Sequence, residues 1–333
     1  MKVVVTGASG NVGTALLAAL DPSVEVTGVA RRVPASPGRA RWTPVDIGMP
    51  GAEEILTETM RGADAVVHLA WLIQPSRDEK TLYRTNVAGS DRVFTAAVRA
   101  GVPHVVHMSS VGAYSPGDKT RRVDETWPVD GVHTSSYSRH KAAVEHLLDV
   151  VERDHPALVV TRLRPGLILQ RSAAAEIKSY FLGPLVPTTL LRLAFARRLP
   201  VLPLPRRMVL QFVHASDVAE AISRVLTTRL PGALNVVAEP VIGPRELADL
   251  VGARHIPIPA AVLRLVAAAT WALHAQPTAP GWIDLALSVP LLSADRARSE
   301  LGWEPSVDAR DAVRELLAGF AEQARVPQRP PLS

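Results

Sequence analysis

No cysteine occurs in the chain, which excludes disulfides, thiolate metal sites and a cysteine nucleophile. That composition suits an intracellular home, and the cytoplasm is the expected location. Long apolar runs are also missing: the most apolar stretch, Val262 to Ala275, carries Arg264 and falls short of the ~20 residues a bilayer span needs. No membrane span is predicted. Met1 leads straight into a β-branched run, so no secretory leader is expected. Charge of one sign is not concentrated either: the net charge is only +5 and the basic residues are dispersed, which argues against a nucleic-acid partner. There is no internal repeat. What remains is an ordinary globular composition, 47% apolar and 21% charged over 333 residues, enough for one large core and a smaller lobe.

The chain is organised around its first strand and the turn behind it, Lys2 to Gly13. A run of valines ends in Gly7, Gly10 and Gly13, spaced three apart, and a helix pattern follows. Gly7 lets the chain reverse, Gly10 lets backbone approach a pyrophosphate, and Gly13 lets the helix pack close on the strand. Gly7, Ser9, Gly10, Asn11, Val12 and Gly13 are therefore the expected phosphate contacts. A second strand, Val24 to Ala30, ends where a dinucleotide fold tests the adenosine ribose. Ala30 stands in place of the acid that would repel a 2′-phosphate, and Arg31 and Arg32 follow, whose guanidinium forks suit a phosphate dianion. NADP(H) is the expected cofactor, with NAD(H) possible.

A third strand, Ala40 to Val45, ends in Asp46 and Ile47, placed to hold the adenine. The fourth, Ala63 to Ala70, is almost wholly apolar, as a parallel strand covered on both faces should be. A long helical pattern from Asp78 to Ala100 carries Asn86 in its middle, a poor interior residue unless its amide has work to do. The fifth strand, His104 to Ser110, ends in two serines. Tyr137 and Lys141 then lie four apart, on one face of a helix opened by a Thr and Ser run. An ammonium beside a phenol favours the phenolate, so the pair can take or give a proton.

With these motifs the chain resembles the extended short-chain dehydrogenase/reductase superfamily, in its epimerase/dehydratase-like branch. The resemblance runs through Thr6 to Gly13, His68-Leu69-Ala70, Asn86 to Gly89, Ser109-Ser110, Tyr137 to Lys141, Arg164-Pro165 and Phe212-Val213-His214 with Asp217. It implies that Tyr137 is the general acid/base and that Lys141 holds the nicotinamide ribose and lowers the pKa of the tyrosine. Ser110 would bond the reacting oxygen, with Ser109 the fallback, and Asn86 would support the site. Leu69, Ala70, Trp71 and Pro165 would border the cofactor. Trp71, Val111, Gly112, Gly166 and Leu167 would border the substrate.

Departures from the family pattern narrow the reaction. Val111-Gly112 replaces the Asp-Glu of dehydratases. Nucleotide-sugar enzymes of the family usually have Asn where Leu167 stands and a phosphate-gripping Arg where Leu210 stands, and Gln170-Arg171 replaces the Gly-Pro that normally ends the Arg-Pro motif, although Arg197, Arg198, Arg206 and Arg207 offer a substitute phosphate grip. The segment Ser179 to Leu210, which closes over substrate, is apolar, and Trp71-Leu72-Ile73 would add a hydrophobic wall. The expected fold is α/β, a Rossmann-type doubly wound parallel sheet with a smaller, mostly helical C-terminal substrate lobe. Residues 1–165 would form the cofactor domain, with 208–237 returning to it, residues 166–207 and 238–325 the lobe, and 326–333 a loose tail. The expected function is an NADP(H)-dependent ketone reductase or secondary-alcohol dehydrogenase for an apolar small molecule. A nucleotide-sugar epimerase and a non-catalytic NADP(H) sensor are the alternatives, and a homodimer is possible.

Overall fold

The computed structural model describes residues 1–182, 188–276 and 278–323. Its centre is a seven-stranded sheet in which all neighbouring pairs are parallel. The first five strands are β1 (Lys2–Thr6), β2 (Glu25–Ala30), β3 (Arg41–Pro44), β4 (Ala65–His68) and β5 (His104–Met108). Val159–Pro165 pairs with β5, and Gly232–Val236 pairs with Val159–Pro165. Read across the sheet, the order runs from Gly232–Val236 through Val159–Pro165, β5, β4, β1 and β2 to β3. The order reverses between β1 and β4, and a doubly wound sheet opens a crevice at the C-terminal ends of its strands there.

Two apolar layers cover the sheet, because β1, β4 and β5 alternate their valines between opposite faces. Val3, Val5, Val67 and Val106 pack on one side with Leu16, Ile222 and Trp303. Val4, Val66 and Val105 pack on the other with Leu56, Phe94 and Leu148. A third, smaller core built from Leu169, Phe212, Ile242, Leu250, Val313 and Phe320 belongs to the lobe. Asp217 ties lobe to sheet: its carboxylate accepts from the Ser306 and Val307 amides, and its carbonyl accepts from the Trp303 indole.

One expectation needs correcting. The pattern Asp78 to Ala100 is two helices, Glu79–Asn86 and Ala88–Arg99, broken at Val87. The Ser90 hydroxyl donates to the Asn86 carbonyl at 2.6 Å, and a side chain bonding back to a helix carbonyl bends the helix. The Leu185-Val186-Pro187 part of the expected apolar segment lies outside the described residues, as do Ala324 and the tail 326–333.

Candidate active site

The glycine turn, Arg31–Arg32, Leu69 to Trp71 and the two serines follow the C-terminal ends of strands, while Asn86, Tyr137 and Lys141 lie on helices. After β1, Gly7 has φ +72°, and a Cβ there would stand 2.6 Å from the Ala70 amide nitrogen. At Gly13 it would stand 2.5 Å from the carbonyls of Gly7 and Ala8. Both positions admit only glycine. A Cβ on Gly10 would meet only the Gly7 carbonyl, at 3.3 Å, so the outer side of the turn is open. The helix behind it, Asn11–Ala19, has no side-chain cap and no acid in its first turn, so its N–H groups are available to an anion. These features fit a dinucleotide pyrophosphate. Ser9 is exposed and Asn11 and Val12 are half-buried. Gln170, a departure from the family pattern, donates its amide to Asn11 and so ties the lobe to this turn.

Arg31 and Arg32 are exposed beyond β2, and the Arg31 charge reaches Tyr180. Asp46 accepts from the Gly48 amide, and Ile47 is buried against Gly89. After β4, Leu69, Ala70 and Trp71 are half-buried. Asn86 is 1% exposed, and its side chain pairs with both main-chain groups of Leu72, accepting at 2.7 Å and donating at 2.9 Å. Its amide clamps the segment that carries Trp71. His68 is held by Thr6 and by Ser90. Because the Ser90 hydroxyl gives its proton to Asn86, His68 Nε2 donates and Nδ1 accepts from Thr6. Burial pushes that ring down to about 3, so it is neutral.

The two serines after β5 part ways. Ser109 donates to the Glu145 carboxylate at 2.5 Å. Ser110 accepts from the Gly112 amide at 2.9 Å and lies close enough to Tyr137 to pull the phenol's pKa down. The fallback serine therefore sits in a different network from the tyrosine. Gly112 makes room for that tyrosine, since a Cβ on it would lie 2.8 Å from the Tyr137 ring.

The helix Ser136–Asp154 is anchored at its start by Ser138, whose hydroxyl accepts from the Val132 amide and donates to the Gly112 carbonyl. This fixes Tyr137 against Gly112. Burial raises the Tyr137 phenol to about 12, with Ser110 opposing, so at neutral pH it carries its proton. Lys141 is buried one turn later. Its ammonium donates to the Met108 carbonyl at 2.8 Å and stands 3.4 Å from the centre of the Trp71 ring. Burial lowers it to about 7, with Glu145 pulling the other way. The expectation that Lys141 drives Tyr137 toward phenolate is thus not what the geometry gives: the ammonium is directed to Met108 and Trp71, and desolvation governs the phenol.

Trp282 was not foreseen. Its ring lies 5.0 Å from that of Tyr137, opposite an edge-on Trp71 at 6.0 Å. Beside them is a cavity of about 180 Å³ walled by Leu72, Ile73, Pro75, Leu82, Trp271 and Trp282, with Arg77 and Glu79 among its polar lining. Three of the six tryptophans in the chain thus gather around the tyrosine and lysine, a signal available in a sequence so poor in aromatics. The expected substrate contacts distribute differently. Val111 packs into the core, and Gly166 is buried where a Cβ would stand 2.6 Å from the Gln211 carbonyl. Pro165 is buried at its strand end, and Leu167 is 40% exposed and lines no part of this cavity. Nor do the proposed phosphate-gripping arginines converge on it. Arg206 and Arg207 border a separate basin of about 830 Å³ with Lys119, and Arg197 donates to the Asp249 carbonyl.

A parallel doubly wound sheet, a glycine turn after β1 and a Ser110–Tyr137 contact with Lys141 one turn on place the molecule in the extended short-chain dehydrogenase/reductase superfamily. The chain belongs to the NAD dependent epimerase/dehydratase family, whose model matches residues 3–236. Among its relatives is a 4-hydroxy-2-methyl-3-oxo-4-farnesyl-3,4-dihydroquinoline-1-oxide ketoreductase from Stigmatella aurantiaca, 30% identical over 50% of this chain and 50% of that protein. A dTDP-6-deoxy-L-talose 4-dehydrogenase (NAD(P)(+)) from Kitasatospora kifunensis is 27% identical over 95% of this chain and 94% of its own length. The chain spans half the length of the ketoreductase and 30% of an uncharacterized Mycobacterium tuberculosis protein. In fold it is similar to a UDP-glucose-4-epimerase from Stenotrophomonas maltophila. The TM-score is 0.73 at 22% identity, covering 98% of this chain and 99% of that one.

Proposed function

We propose that the protein is an NADP(H)-dependent ketone reductase, or the reverse secondary-alcohol dehydrogenase, for an apolar small molecule. The observation that carries this reading is the tryptophan-walled cavity lying against a tyrosine that keeps its proton. When bound, a nicotinamide dinucleotide supplies hydride chemistry. The chain's own residues hold the substrate oxygen and move its proton. Ser110, whose oxygen accepts from the Gly112 amide, donates its own proton to the substrate oxygen, and Tyr137 donates the proton that a reduced carbonyl oxygen takes up. Burial keeps the phenol protonated until an oxyanion forms against it. Lys141 would hold the nicotinamide ribose, Gly7, Gly10 and Gly13 would seat the pyrophosphate, and Arg31 with Arg32 would receive a 2′-phosphate. Asn86 is a positioning residue, acting through the Leu72 backbone.

The test is loss of NADPH absorbance with a panel of apolar ketones and nucleotide sugars. Net consumption with an apolar ketone, NADPH ahead of NADH, and a fall of about 10²–10⁴-fold in Tyr137→Phe are expected. Unchanged cofactor with inversion of a nucleotide sugar would establish the epimerase instead. Tight NADPH binding with no turnover would establish a sensor.

A further inference from the structure

The helix Ala260–Ala272 inverts the usual placement of apolar side chains. None of its thirteen residues is buried. Val262, Leu265, Val266, Ala269, Ala272 and the following Leu273 recur at helical spacing, and every one is exposed, Leu265 at 69% and Leu273 at 79%. A scattered exposed leucine is ordinary, but a continuous apolar stripe along about three turns marks a surface that meets something. The two-stranded ribbon that leads into this helix pairs Val201–Leu204 with Arg254–Pro257, and it exposes Val201 and Ile256 on one face.

Charge identifies the occupant. Residues 188–216 and 250–276 together hold seven arginines and no aspartate or glutamate, whereas the whole chain nets only +5. Arg197, Arg198 and Arg254, on or beside the ribbon that leads into the helix, are exposed, while Arg264 is paired with Asp284 and Arg207 faces Asp118 at the separate basin. A second copy of this lobe would bring the same positive charge against the first. A bilayer rich in anionic phospholipid offers what the surface lacks: acyl chains for the stripe and phosphates for the arginines. At 1.5 Å per residue the helix is about 20 Å long, less than the ~30 Å hydrocarbon core, and no helix among the described residues is long and apolar enough to cross a membrane.

We propose that the lobe docks peripherally on an anionic phospholipid surface, with the Val262–Leu273 stripe at the acyl boundary and the neighbouring arginines at the headgroups. The proposal stands apart from the reductase reading. It is tested by cosedimentation of the full chain with phosphatidylcholine vesicles and with vesicles of about one-third phosphatidylglycerol. Wild type should bind the anionic vesicles about tenfold more tightly or better, and lose binding as salt rises. Leu265→Asp with Val266→Asp should weaken binding at least about tenfold without moving the melting temperature, and Arg197→Glu with Arg198→Glu should weaken it as well. Equal behaviour toward both vesicle types, or full binding by the Asp variant, would overturn it. So would a wild-type dimer that the Asp variant converts to monomer, which would give the stripe to a second copy.

Discussion

Two neighbouring turns of one helix, both buried and both charged, behave in opposite ways. Lys141 is buried with a carbonyl and an indole face for company. Glu145, one turn on and 0% exposed, is enclosed by Arg162, Arg164 and Ser109. Burial alone would raise the Glu145 carboxyl, yet the bonds and charge of Arg164, with Arg162 beyond, hold it below its ordinary value. Arg164 also donates to the Tyr114 hydroxyl and the Glu125 carbonyl, and Tyr114 donates its own hydroxyl to Asn235 Oδ1. The lesson is that burial makes a group titratable or locks it, according to how many counter-charges are buried with it. The tyrosine and lysine lie on the sparsely partnered turn, and the saturated network lies below them as a rigid base.

The largest effect should come from breaking the saturated side. Glu145→Gln leaves two buried guanidiniums short of charge and should cost about 3–5 kcal/mol, read by urea unfolding. Its pH dependence has a definite sign. The depressed Glu145 value stabilises the fold above pH 4.5, and that contribution disappears as pH falls through the folded value. The variant should therefore lose less stability than wild type on acidification below pH 4.5. A smaller effect is expected at Lys141, where the sign is reversed relative to an ion-paired lysine. The unfolded chain takes up its proton below 10.5 but the folded chain only below about 7, so stability from this group climbs with pH across that window. Lys141→Met should flatten the climb and abolish turnover. A climb that survives in the variant would show that Lys141 keeps its ordinary value.

The sparsely partnered side was legible in the sequence, because its residues lie close along the chain. Gly7, Gly10 and Gly13 carry the turn in their spacing, and Tyr137 and Lys141 share a helix face by being four apart. Asn86 stood out as an amide misplaced in a helix, although the break at Val87 depended on the Ser90 hydroxyl and could not be read. The saturated side was illegible for the complementary reason. Glu145 meets Arg162 and Arg164 from 17 and 19 positions away, on a strand of another layer, and nothing local in either segment announces the other. Trp282 reaches Tyr137 and Gln170 reaches Asn11 across more than a hundred residues, set only by how the lobe folds back.

The two adjacent serines allow the comparison to be tested in a single experiment, since Ser109 belongs to one network and Ser110 to the other. Turnover and unfolding free energy should be measured side by side for Ser109→Ala and Ser110→Ala. Ser110→Ala should lower turnover by about 10²-fold with stability nearly unchanged, and Ser109→Ala should cost about 1–3 kcal/mol with turnover largely retained. The reverse pattern, or equal loss of both properties in both variants, would contradict the separation of the proton-transfer turn from the charge-locked one.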